Sequence, residues 1–125
     1  MIISATFTPK PSLFGPILFT GDIAESLKQI AHIGYSGAEL HLSDPRQVDT
    51  EQLAYLLAKN NLRLTSIGTG LSAVDDKLSF ASDDESVRSA AVQRIKDVID
   101  AFADIKPAII IGTIKGRLAA ASDEA

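Results

Sequence analysis

A chain of 125 residues with 46% hydrophobic and 22% charged side chains has the composition of one folded domain, not of a disordered segment. Its 16 acidic and 12 basic residues give a formal net charge of -4 and are spread without long blocks, which leaves no basic footprint for nucleic acid or an anionic membrane. The absence of cysteine excludes disulfides, thiolate metal sites and thiol nucleophiles; no signal-type start or apolar run of roughly 20 residues is present, so the expected location is the cytoplasm and the expected partners are small molecules or other protein chains.

In chain order, residues 2–7 form a short apolar, β-branched run that predicts a buried strand. A long loop rich in Pro and Gly follows through Thr20, of the kind that often carries function. Asp22 with Glu25 three positions on makes a capping box, which predicts a helix start. Ile23, Leu27, Ile30 and Ala31 fall on one helical face, and Gly34 closes the pattern. Residues 38–42 alternate small or apolar with polar side chains, the period of a second strand with two different surroundings. Asp49 and Gln52 repeat the capping logic, Leu53, Leu56 and Leu57 form the next apolar stripe, and Asn60 and Asn61 end it. Residues 62–67 predict the third strand, which runs into Gly68, Thr69 and Gly70.

After a second polar loop, Ser82 to Glu85 offers a third capping box. Val87, Ala91, Ile95, Val98, Ile99 and Phe102 then line a helix of about five turns. Pro107 admits Ala108, Ile109, Ile110 and Ile111, a continuous run of the kind buried on both faces of a parallel sheet. Residues 118–125 read as a loop with a helix just beginning.

The order is therefore β-α-β-α-β-α-β, an α/β chain of parallel units. Its helix-to-strand connections are short and its strand-to-helix connections long. Such loops build the active face of a (β/α)8 barrel, although an open, doubly wound sheet has the same element order.

Three segments resemble the sugar phosphate isomerase/epimerase family, the xylose isomerase-like barrels that include keto-sugar 3-epimerases. They are Gly34-Tyr35-Ser36-Gly37-Ala38-Glu39-Leu40-His41-Leu42-Ser43-Asp44-Pro45, Ser66-Ile67-Gly68-Thr69-Gly70 with Lys77-Leu78-Ser79-Phe80, and Ile109-Ile110-Ile111-Gly112-Thr113-Ile114-Lys115-Gly116-Arg117. Leu71 and Lys115 stand where the closest relatives usually carry Gln and Arg. The resemblance implies that residues 1–125 are the first half of a TIM-type barrel. It also implies a divalent metal, manganese or magnesium, held by carboxylates and a histidine of later strands, with two glutamates there moving the proton. This chain alone is then expected to bind no metal and to be inactive, holding substrate-binding residues only.

The candidates for binding a small sugar are Phe7, Glu39, His41, Gly68, Thr69, Gly70, Lys115 and Arg117. Glu39 and His41 share one strand face and either contact sugar hydroxyls or support a metal ligand, or else Glu39 is simply a buried carboxylate paired with Lys115 or another base. Gly68, Thr69 and Gly70 either let the backbone approach a ligand or simply turn the chain. Lys115 and Arg117 either hold a phosphate or carboxylate or belong to a solvated loop. Phe7 is either an apolar wall for the sugar or part of the core, and Asp75 and Asp76 read as a solvated loop. Two rival readings are a half-barrel that self-associates through its open strand edges or pairs with a missing second half, and a barrel endonuclease, which the charge balance opposes.

Overall fold

The computed structural model describes residues 1–11, 15 and 17–117. The tail expected to begin a helix, residues 118–125, lies outside the described residues, as do positions 12–14 and 16 of the first long loop. The elements are β1 (Ser4–Thr8), β2 (Phe19–Thr20), α1 (Ile23–Ile33), β3 (Gly37–His41), a 3₁₀ turn (Pro45–Gln47), α2 (Thr50–Lys59), β4 (Arg63–Gly68), α3 (Gly70–Val74), α4 (Glu85–Ala101), β5 (Ala108–Ile110) and a second 3₁₀ turn (Thr113–Lys115).

All strand pairs are parallel, in the spatial order β2-β1-β3-β4-β5. Apart from the two-residue β2 at the edge, neighbours in space follow chain order, with no point where the order reverses. The long helices α1, α2 and α4 contribute Leu27, Ile30, Leu53, Leu56, Leu57, Val98 and Phe102 to one core, against Phe7, Ala38, Leu40, Leu64 and Ile67 of the strands. A doubly wound sheet needs a reversal point and helices on both faces. One-sided cover with sequential strands is the architecture of part of a parallel β/α barrel.

The helix ends follow their side chains. Asp22 accepts from the backbone N–H of Glu25 at 2.8 Å and Asp49 from that of Gln52 at 3.0 Å, while Gly34 closes α1 at φ 110°, a left-handed conformation that favours glycine. The first capping box is only half made, because the Glu25 carboxylate accepts from Gln29 Nε2 at 3.1 Å. The third box is displaced: the cap of α4 is Asp84, which accepts from Ser86 N at 2.8 Å. Ser82 Oγ is already engaged with the Asp84 N–H at 3.2 Å, so the helix starts two residues later than its position implies.

Three further expectations are corrected. Ile2 and Ile3 are exposed, because the ladder with β3 begins only at Ser4 opposite Gly37. Ile99 is also exposed: Ala91, Val98 and Phe102 form the buried line of α4, and Ile99 sits about 100° round from Val98. The fourth predicted strand is not buried on both faces. Ile109 packs against the core, but Ile110, of opposite parity, is 42% exposed, and Ile111, just past the end of the strand, is 44% exposed. Among the described residues, no helix is long and apolar enough to cross a membrane.

Candidate functional site

The face of the sheet away from the helices is polar. Register pairs Ser4 with Gly37, Thr6 with Glu39 and Phe7 with Leu40, so Ser4, Thr6, Glu39 and His41 look one way and Ala5, Phe7, Ala38 and Leu40 the other. Between β3 and β4 the register slips. Ala38 pairs with Leu64, but Glu39 pairs with Ser66, which makes Thr65 an extra residue in a β-bulge. The bulge turns two successive hydroxyls onto the polar face: Thr65 Oγ1 lies 2.9 Å from Ser4 Oγ, and Ser66 Oγ donates to Glu39 Oε2 at 2.5 Å.

Glu39 Oε1 lies 2.7 Å from His41 Nε2 on the same strand. The side chains of His41 and Glu39 are 18% and 26% exposed, enough for a ligand to reach them. Burial alone would raise the Glu39 carboxyl. The hydrogen bonds from Ser66 and His41, with the attraction of a charged imidazole, outweigh it and hold the group below its ordinary value. A carboxylate only accepts hydrogen bonds, so the proton between the two groups resides on Nε2. The partners of Glu39 are therefore His41 and Ser66. The alternative partner, Lys115, makes no ion pair among the described residues.

The remaining candidates sit as follows. Gly68 ends β4 beneath the His41 ring: a Cβ there would lie 2.5 Å from Nε2, 2.7 Å from Cδ2 and 2.8 Å from Cε1. The imidazole thus fills the space expected for close ligand approach. Thr69 is buried, and its hydroxyl donates to the Ile110 carbonyl at 2.6 Å, fastening β4 to β5. Gly70 opens α3, where a Cβ would lie 3.4 Å from Thr113 Oγ1. Phe7 is fully buried and its parity turns it toward α1, so it is part of the core and not a wall for the sugar. Lys115 and Arg117 are exposed and have no side-chain hydrogen bond or ion pair among the described residues.

A second cluster lies beside the site, at the end of β3. Asp44 receives Arg46 Nε at 2.9 Å and lies 3.4 Å from Arg94 Nη2. Arg94 Nη1 donates to Asp76 at 2.6 Å and also to the Ser43 carbonyl, which in turn accepts from Ser72 Oγ at 2.7 Å. Asp76 lies in an exposed turn and is in addition an ion-pair partner of Arg94. Arg94 joins α4 to the loops after β3 and α3, and nothing in its local sequence marks it.

Nor do the described residues fit a metal ion. They contain no grouping of three or more His, Asp or Glu side chains able to hold one, and Glu39 with His41 alone falls short of the three or four protein ligands that a divalent ion normally takes.

Residues 27–124 match the model of the family described as xylose isomerase-like TIM barrel, which includes sugar isomerases and epimerases as well as endonucleases. Among curated proteins, none matches the chain. The match covers most of the chain and agrees with the sequential parallel strands and one-sided helices, and the chain belongs to the xylose isomerase-like TIM barrel family.

Proposed function

We propose that this chain forms the sugar-binding wall of a barrel isomerase or epimerase acting on a small keto-sugar or sugar acid. The observation that supports this reading best is the Glu39, His41 and Ser66 cluster near the C-terminal ends of β3 and β4, the end at which such barrels bind their substrates. It presents an ionised acceptor, an imidazole and a hydroxyl on a partly open polar face. That set suits the hydroxyls of a sugar, each of which both donates and accepts. It suits a phosphate backbone poorly, because the cluster carries a carboxylate and the nearby Arg46 and Arg94 are bound to acidic partners.

In this reading Glu39 takes a hydrogen bond from one sugar hydroxyl and His41 contacts a neighbouring one, which fixes the orientation of the carbon chain. The proton transfer, and a manganese or magnesium ion that would polarise the substrate oxygens, belong to other residues of a complete barrel. This chain alone then binds without turnover. The test is titration of the full 125-residue chain with a panel of ketoses, sugar acids and their phosphates, followed by imidazole NMR of His41. Saturable shifts at His41, lost in Glu39→Gln, are expected. A panel that leaves His41 unmoved would sink the reading, and so would epimerisation by this chain that a chelator abolishes.

A further inference from the structure

We propose that Gly68 is a positioning residue whose missing side chain seats the His41 imidazole against β4, setting the ring plane in which it meets Glu39. This deepens the sugar-binding reading and rests on it for its meaning in function, but its structural content stands separately.

Three ring atoms of His41 lie within 2.5–2.8 Å of where a Cβ at position 68 would be, closer than side-chain carbons approach one another. Among the nearest atoms to that point the only group is the imidazole, so the ring, and not the backbone of a neighbouring strand, must yield to any larger residue. Its freedom to yield is small. Only two torsions place a histidine ring, and Nε2 is held 2.7 Å from Glu39 Oε1. The register also pairs His41 with Gly68 directly across the ladder. Displacing the ring past a methyl group therefore takes Nε2 out of hydrogen-bond range of a carboxylate that Ser66 holds from its other oxygen. The backbone supports this assignment: no positive φ is recorded for Gly68, so conformational freedom does not call for glycine at this position. The space does.

The test is ¹⁵N NMR of the imidazole in the full chain, for the native protein and for Gly68→Ala. In the native protein the Nε2 signal is expected to be that of a protonated nitrogen bonded to a carboxylate, and Glu39→Gln gives the reference for its loss. Gly68→Ala is expected to lose that signature while keeping the native circular dichroism, and to weaken binding of any sugar the native chain binds by tenfold or more. Retention of the signature in Gly68→Ala would overturn the proposal. Should Gly68→Ala fail to fold, Gly68→Ala combined with His41→Ala decides, since removing the ring clears the space. A folded double variant supports the inference, and an unfolded one overturns it. A native chain that shows the signature but binds no sugar counts against the functional reading alone.

Discussion

Ser66 donates to Glu39 from the neighbouring strand, and it can do so only because Thr65 is an extra residue in β4. Continued without the slip, the register that pairs Ala38 with Leu64 would set Thr65 opposite Glu39 and Ser66 opposite Leu40, on the side of the helices. Replacing Ser66 with Ala removes a hydrogen bond to a charged, partly buried group, and a loss of about 1 kcal/mol in stability is expected near neutral pH. The Glu39 carboxyl is held below its ordinary value of 4.5, so its stabilising share is fully present above that pH and fades as pH falls through the lower, folded value. Urea denaturation of both proteins at neutral and strongly acid pH checks this. An equal deficit at both would show that Ser66 acts by packing and not through the carboxylate.

The helices were legible because their signals are local. Asp22, Asp49 and Gly34 announce their roles within four residues of themselves. Phe7 misleads because a single apolar residue at a strand end is compatible with either face, and only its pairing with Leu40 decides. Ser66 is not among the binding candidates that its family segment suggests, although a trace of its role is present: Leu62 and Leu64 are two apart, whereas the next core residue, Ile67, is three further on. That break in period is the bulge. The roles of Arg94 and of Gly68 have no such trace, since each depends on a partner from another strand or loop: Asp44 and Asp76 in one case, His41 in the other.

Asp44 gives a second dependence on pH. The side-chain hydrogen bond from Arg46 is the largest influence on it. Partial burial opposes this, and the Arg46 backbone N–H and the charges of Arg94 and Arg46 add to it, bringing the carboxyl from 3.8 down to about 2. A depressed carboxyl stabilises the fold above its unfolded value, and that share is lost as pH falls from about 3.8 toward 2. Asp44→Asn is expected to be less stable than the native chain at pH 5 and to lose less on further acidification, so that the two acid-unfolding curves converge. Parallel curves through that window would show that the ion pairs of Asp44 contribute nothing net.

Arg94 and Arg46 both meet Asp44 but should differ sharply in weight. The Arg46 side chain is 86% exposed and that of Arg94 is 15% exposed. Arg94 also serves Asp76 and the Ser43 carbonyl. Arg94→Met keeps much of the packing and removes a largely buried cation that serves three acceptors at once, so a loss of about 2 kcal/mol is expected. Arg46→Ala is expected to leave the stability nearly unchanged at moderate salt. Chemical denaturation of the two variants separates these values. Similar losses for both would mean that Arg94 does not tie α4 to the loops after β3 and α3.

Thr69 tests how β5 is held. The strand pairs with β4 over only three residues, Ser66 with Ala108, Ile67 with Ile109 and Gly68 with Ile110, and one of its alternating faces is uncovered. The Thr69 hydroxyl supplies a further bond by donating to the Ile110 carbonyl, and this explains why Thr69, although it caps α3, makes no side-chain cap of its own. Thr69→Val preserves shape and removes the donor at a site that is 1% exposed, leaving a carbonyl short of a partner at a cost of about 1–2 kcal/mol. Because the bond sits at the end of β5, the larger effect should be local: amide hydrogen exchange at Ile109 and Ile110 should quicken more than at Leu40 or Ile67 in the centre of the sheet. Uniform acceleration across all four amides would instead indicate that Thr69 stabilises the fold as a whole, and unchanged rates would show that backbone pairing alone secures β5.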